Sequence, residues 1–392
     1  MKKFVVTATI LMLVVSFATL AVAQRISGTE RNAIFASAQR VPTRINGVTA
    51  FAAPPKDFNP LTATNRELLQ YGLPQRPDAA DVKANHLWER AMLALKTRAN
   101  DVKAKPYTSR EMMGGQQRAA EAADVSAVTY YTSGNWSGIA NTNKDKKWVP
   151  LNSSGGAGTS FDEVVSYWNV PVSNHPFGNL PCTEGPWFEV TWNGIDGFSN
   201  GDVVQGGSAV YWDDGGCGGP VEYFGWVEWY PSYSILEIYC GSSPCPVGPG
   251  DDFLAVTFGA PGTDEQTVFV EDLSQQWYGS FGLPYVSGPG VVGNSAEYIV
   301  ERPCCESYNG NTVLFPLANY VFEFMGYNYA YDVHNTLFYP GSTSTSTAVI
   351  TMTADDGSAI STPLIYGTSG NAGRYSIMLE DEGCAYSGGC VP

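Results

Sequence analysis

Gln205, in Val203-Val204-Gln205-Gly206-Gly207, and Glu297, in Ala296-Glu297-Tyr298-Ile299-Val300-Glu301, are candidates for a catalytic pair 92 positions apart. A carboxylate and a primary amide could together hydrolyse a peptide bond. The carboxylate takes a proton from water and later returns one to the departing nitrogen, a contribution of roughly 10²–10⁴ in rate. The amide N–H can donate to the tetrahedral oxyanion, and losing one such donor costs on the order of 10²–10³. The amide carbonyl can help orient the water. A carboxyl with a reference pKa near ~4.3 suits this work in acid. Taken singly, Glu297 also reads as a solvent-facing strand residue and Gln205 as a loop amide.

Other chemistries find less support. No G-x-S-x-G elbow is present, and beyond residue 124 the histidines are His175 and His334. Neither D-T-G nor D-S-G occurs, which removes the paired-aspartate loops of a pepsin-type site. Asp213-Asp214-Gly215 and Asp355-Asp356-Gly357 read as turns. Without paired C-x-x-C or H-E-x-x-H, no metal site is expected, and no cofactor is implied. A glycosidase or carbohydrate-binding sandwich remains the alternative, because carboxylates and aromatic-rich strands abound.

The elements that must position the pair fall in three stretches. Residues 1–23 begin Met1-Lys2-Lys3, run apolar from Phe4 to Val22 and end in Ala21-Val22-Ala23. That is a secretory signal peptide, so the protein is expected outside the cell and free of the membrane once cut. Residues 24–124 carry 15 Lys/Arg and 10 Asp/Glu, whereas residues 125–392 carry 5 and 28. The large acidic unit is excluded as a binder of nucleic acid backbone, and its excess of carboxylates suits acidic surroundings. All eight cysteines lie in it. An even count in an exported chain favours disulfides, and Cys240 with Cys245, or Cys384 with Cys390, could close short loops.

Residues 24–124 read as a partly helical propeptide. Thr64-Asn65-Arg66-Glu67 is a capping box opening a short helix that ends near Tyr71-Gly72. A longer helix is expected from Pro77-Asp78 to about Lys103. Met112 to Ala123 form a junction open to proteolysis. From about Val128, short aromatic and β-branched runs alternate with Gly and Pro turns, which predicts an all-β antiparallel sandwich or barrel. In the Val221 to Tyr230 strand, Glu222, Phe224, Trp226, Glu228 and Tyr230 share one face, suited to a wet groove lined with rings or to an ordinary solvent face.

Four motifs, in order, resemble the glutamic peptidases, or eqolisins. Asn135-Trp136-Ser137-Gly138 is similar to that family's N-W-[AS]-G opening. Trp192-Asn193-Gly194-Ile195-Asp196-Gly197 is similar to its W-x-G-I-D-G segment, with Gln205 at its L-Q-[TG]-G position. Trp226-Val227-Glu228-Trp229-Tyr230-Pro231 resembles its W-Y-E-W-Y-P strand, and Ala296 to Glu301 its A-E-W-I-V-E strand. The resemblance covers about residues 128 to 380. Ser137 and Tyr298 depart from the commoner residues, the Gln205 to Glu228 spacing is long, and the cysteines match only partly.

The resemblance implies an antiparallel two-sheet β-sandwich of concanavalin A-like or jelly-roll type, acting as an acid endopeptidase insensitive to pepstatin. It also implies that Gln205 and Glu297 form the catalytic dyad, with Trp136, Trp192, Asp196 and Glu228 in or near the substrate groove. The expected partners are peptide or protein substrates and the chain's own propeptide as inhibitor, in a monomer. A catalytically dead binding protein is a third reading. Charge suggests the activation route: the basic prosegment covers the acidic domain at neutral pH, and acid weakens that attraction and permits self-cleavage near residues 112–128.

Overall fold

The computed structural model describes residues 25–108, 117–118, 128–142, 160–173, 186–198, 200–213, 220–259, 262–288, 290–308, 311–315, 317–318, 320, 322–341, 346–354, 357–366 and 376–381. The expected signal peptide at residues 1–23, most of the Met112–Ala123 junction, and Cys384 and Cys390 lie outside the described residues.

The first hundred residues form α1 (Gly28–Ser37), β1 (Arg40–Pro42), β2 (Thr49–Phe51), α2 (Asn65–Gln70), α3 (Val82–Ala94), β3 (Thr97–Arg98) and β4 (Asp101–Ala104). Then come β5 (Gln117–Arg118), β6 (Val128–Ser133), β7 (Trp136–Thr142), β8 (Phe161–Asn169), β9 (Trp187–Ile195), β10 (Val203–Trp212) and β11 (Val221–Tyr230). The middle strands are β12 (Leu236–Cys240), β13 (Ser243–Pro244), β14 (Asp252–Phe258), β15 (Glu265–Asp272), β16 (Trp277–Pro284) and β17 (Ser295–Glu301). The last are β18 (Cys304–Tyr308), β19 (Asn311–Leu314), β20 (Phe322–Met325), β21 (Tyr327–Asp332), β22 (Leu337–Phe338), β23 (Ser346–Thr353), β24 (Ala359–Tyr366) and β25 (Ser376–Asp381).

Two sheets result. The smaller runs β1-β2-β16-β15-β14-β8-β21-β22, with β3 beside β16. The larger runs β13-β12-β11-β10-β9-β17-β7-β23-β24-β25-β20, with β4 beside β12 and β6 beside β23. Pairing is antiparallel except for β3 with β16 and β6 with β23. The expected antiparallel two-sheet architecture is therefore present. Trp168, Val227, Trp229, Phe253, Val268 and Tyr298 belong to the core between the sheets. Asn193 fastens them together: its Nδ2 donates to the carbonyls of Val164 and Ala255, and Thr257 donates to its Oδ1 at 2.8 Å. Buried amides and carbonyls left without such partners would be costly.

The strands do not show the simple alternation of a sheet wetted on one side, because both sheets are covered on both faces. All nine residues of β9 are buried. The cover on the outer face of the small sheet comes from residues 25–95. Ile34, Phe35, Leu68, Leu69, Trp88 and Met92 pack there against Tyr167, Leu254, Val256, Phe258, Phe269 and Tyr329. Strand registers show why these sheet residues share one face: Tyr329, Val165, Val256 and Phe269 form one row, and Tyr327, Tyr167, Leu254 and Glu271 the next.

Several local expectations hold. Thr64 caps α2 with Glu67 in a reciprocal capping box, β11 spans Val221–Tyr230, and Cys240 and Cys245 form a disulfide. The long helix does not reach Lys103. It starts after Asp81, whose side chain accepts from the Ala84 amide, and ends at Ala94. Residues 97–104 instead extend the sheets: β3 pairs with β16, and β4 with β12. Edge strands with unpaired N–H and C=O groups recruit such segments regardless of helical propensity.

Candidate active site

Gln205 lies in β10, not in a loop. Its Cα partner on β9 is Gly194, and Gly194 on its other side partners Glu297 of β17. Residues opposite each other in an antiparallel ladder share a face. Gln205 and Glu297 therefore rise from the same side of the large sheet with only a glycine between them. Their main chains lie two strand spacings apart, roughly 10 Å. A Cβ on Gly194 would come within 2.8 Å of the Trp192 ring and 2.9 Å of the Val204 carbonyl oxygen. Glycine thus keeps open the space between the pair. The row continues outward from Gln205 to Glu228 on β11, and from Glu297 to Ala140 on β7 and Ala348 on β23. Small residues again leave the carboxylate's flank clear.

Glu228 fixes the amide. Gln205 Nε2 donates to Glu228 Oε2 at 2.9 Å, so the assignment of nitrogen and oxygen in the amide follows from its partner. The other carboxylate oxygen, Oε1, accepts from the Thr108 hydroxyl at 2.9 Å. Gln205 Oε1 and both oxygens of Glu297 are buried without a hydrogen-bond partner among the described residues, as is Trp136 Nε1. Burial raises the Glu297 carboxyl well above the ordinary glutamate range. The nearby Ser295 hydroxyl and Phe198 main chain soften that rise, and the Asp196 charge adds to it.

The neighbouring row carries the tryptophans. Trp192 sits opposite Gly207 on one side and Ile299 on the other, one step along the same face. Trp136 meets it edge-on, with ring centroids 5.1 Å apart. Trp192 Nε1 donates to Glu301 Oε2 at 2.9 Å, and Asn135 Nδ2 to Glu301 Oε1 at 3.2 Å. Glu301 and Asn135 escaped selection from sequence. Glu301 ends the same motif as Glu297 four residues on, a spacing that puts both on one strand face.

Asp196 serves a different purpose. It takes φ 70°, and its carboxylate accepts from the amides of Val292, Gly293 and Asn294 at 2.6, 3.1 and 2.7 Å. It braces the loop that leads into β17 and hence sets the height of Glu297. Burial pushes its carboxyl up to about 6 against the pull of those amides.

All six anticipated residues, Gln205, Glu297, Trp136, Trp192, Asp196 and Glu228, are fully buried. Part of the cover is the segment after β4. Lys105 N bonds Ile235 O, Ile235 N bonds Tyr107 O, and Thr108 exchanges two main-chain bonds with Cys304. The Tyr107 ring lies 5.1 Å from Phe188 and 5.0 Å from Phe315. The groove is thus closed in this chain, not open. No cluster of metal-binding side chains occurs among the described residues.

Comparison with known proteins gives the family of the chain. A search of curated proteins finds no match. Among solved structures, scytalido-glutamic peptidase bound to a peptide-based transition state analog is similar at 17% identity and TM-score 0.45, over 63% of this chain and 98% of that one. SCP-B, a member of the eqolisin family in complex with the tripeptide Ala-Ile-His, shows 15% identity and TM-score 0.42 over 63% and 98%. Aspergilloglutamic peptidase from Aspergillus niger shows 19% and 0.37 over 50% and 99%. A family model for the Peptidase A4 family matches residues 135–368. That span exceeds half of the 392 residues and contains all four motifs, so the chain belongs to the peptidase A4 family, the glutamic peptidases.

Proposed function

We propose that this peptidase is a secreted, pepstatin-insensitive acid endopeptidase that works through Gln205 and Glu297. The observation that carries the reading is their shared register with Gly194. In the opened site, the scissile carbonyl lies over Gly194. Water entering the opened site relieves the burial that raises the Glu297 carboxyl; its carboxylate then takes a proton from the attacking water, and Gln205 donates to the oxyanion. Glu297, now protonated, gives its proton to the leaving nitrogen. Polar atoms are nearly always satisfied when buried, so the partnerless Glu297 oxygens and Gln205 Oε1 support a site whose partners arrive with water and substrate.

Glu228 is a positioning residue, aiming the amide at the oxyanion. Trp136 and Trp192 offer flat walls for substrate side chains. Two further carboxylates near Glu297 are already engaged, Asp196 by loop amides and Glu228 by Gln205 and Thr108. That weakens the carbohydrate reading, which needs a free pair flanking one bond.

The chain is made as a zymogen, a monomer whose Tyr107–Thr108 segment blocks its own groove. The test is digestion of casein at pH 3–4 by acid-treated wild type, Gln205→Ala and Glu297→Gln, with and without pepstatin. Wild type should release peptides whether or not pepstatin is present, and both variants should be inactive yet folded. Residual activity near wild type in either variant would overturn the dyad.

A further inference from the structure

The N-terminal chain covers two faces of the molecule in very different ways. Over the active site it lays one extended segment, whose Thr108 hydroxyl donates to Glu228 and whose Lys105 pairs with Glu222 and Glu237. Over the small sheet it lays three helices, with Phe35, Leu68, Leu69 and Trp88 at 7% exposure or less. Large side chains each cover on the order of 150–250 Å². Stripping this layer would bare Tyr167, Leu254, Val256, Phe258, Phe269 and Tyr329 together, far beyond the roughly 300–600 Å² apolar patch that a soluble monomer tolerates.

Charge ties the layer down as well. Arg31, 1% exposed, lies 3.1 Å from Asp162 and 3.6 Å from Glu163, and Arg25 lies 2.6 Å from Glu163. Departure of the two arginines would strand two carboxylates on the sheet. The layer also closes sheet edges, β2 and β3 on β16 and β4 on β12. Exposed edges invite aggregation.

We propose that residues 25–104 are a permanent layer of the active peptidase, retained as a bound second chain after hydrolysis of a peptide bond between Thr108 and Val128 frees the groove. The propeptide thus has a displaceable plug at the end of a fixed body. The proposal rests on the reading above only in taking the cut to be the activating step.

Acid strengthens the body's hold. Asp162 faces Arg31, Arg25 and Glu163, yet burial outweighs them and lifts its carboxyl to about 6. Glu271 faces Asp272 and Tyr167 under the same layer and is raised well above the usual range, chiefly by burial. A carboxyl raised in the docked state stabilises docking fully below its free pKa, near ~3.8 for aspartate, and loses that contribution as pH rises through about 6. This opposes the simple expectation that acid drives the whole basic prosegment away.

The experiment inserts a site-specific protease sequence between Ala120 and Glu121 of full-length Glu297→Gln, which isolates docking from catalysis. After cutting, gel filtration with mass detection at pH 4 and pH 7 should give one species with the mass of the intact chain. The two fragments should separate only in denaturant. Separation at pH 4 without denaturant, in any form, overturns the proposal. Arg31→Ala in the same background should release a measurable fraction of the small fragment at pH 7, and no change in release overturns the role given to its ion pairs. The same cut in the wild-type chain keeps the two readings apart: a retained layer without casein digestion sinks only the peptidase reading, and digestion by the large fragment alone sinks only the layer.

Discussion

The outer faces of the two sheets both take cover from the same N-terminal residues, but to very different depths. The small sheet's cover is thick, apolar and pinned by buried ion pairs. The large sheet's cover over the candidate pair is one strand deep, held by main-chain bonds to Ile235 and Cys304, the Thr108 hydroxyl, the Lys105 pairs with Glu222 and Glu237, and the Tyr107 ring among Phe188, Tyr211 and Phe315. A cover that must leave should make few contacts absent elsewhere, and one that completes a core should make many. The difference teaches that residues 25–108, though contiguous in the chain, do not act as one unit.

Four measurements break or sharpen that contrast. On the site face, Gln205→Ala and Glu297→Gln should each lower casein turnover at least 10²–10³-fold without moving Tm, and a variant that loses Tm in step with activity would shift the pair to a structural role. On the opposite face, Arg31→Ala should do the reverse. It leaves Asp162 and Glu163 buried with less compensation, at a cost of about 3–5 kcal/mol, or roughly 10 °C in Tm.

The third measurement probes the layer between the faces. Thr191 Oγ1 lies 2.6 Å from Glu189 Oε1 and 2.8 Å from Glu323 Oε2, all three buried. One hydroxyl has one proton, so one of the carboxyls must carry its own. Burial lifts Glu189 to about 8 and Glu323 well above its usual range. Folded-state values above the unfolded ones mean full stability below ~4.5 and a loss of about 1.4 kcal/mol per pH unit as pH rises toward 8. Glu189→Gln should raise Tm at pH 7 and leave it nearly unchanged at pH 4. An equal shift at both pH values would remove the pair from the acid preference.

The smallest effect belongs to the plug. Thr108→Val deletes one bond to Glu228, worth about 1.5–3 kcal/mol to a charged acceptor. Activity should appear sooner after acidification, with Tm lower by roughly 3–7 °C. Unchanged activation kinetics would mean that the other contacts of the segment hold it in place.

Much of the site was legible because it sits in local motifs. Trp192 to Gly197 and Ala296 to Glu301 each carry a period of two, and the structure lays them side by side. What sequence could not supply was the register that joins them. Gly206 and Gly207 look like loop residues, yet they lie in β10. A Cβ at Gly207 would fall 1.8 Å from the Thr191 carbonyl oxygen, so the glycines mark a close strand approach. Thr108 had no local signal at all, since its role comes from a partner 120 positions away. The stretch from 97 to 104 looked helical because the preceding pattern was. Its strand form depends on edges supplied by β12 and β16.

Asn193 has one more consequence. Its backbone neighbour Gly194 is the floor between Gln205 and Glu297, while its side chain grips the carbonyls of Val164 and Ala255 in the other sheet. The next residues on those strands, Val165 and Leu254, point the opposite way, into the helical layer. A disturbance on the far side of the molecule therefore reaches the floor of the candidate site through one amide and two peptide groups. The two outer faces are mechanically linked across the thickness of the sandwich, by a route far shorter than the chain between them.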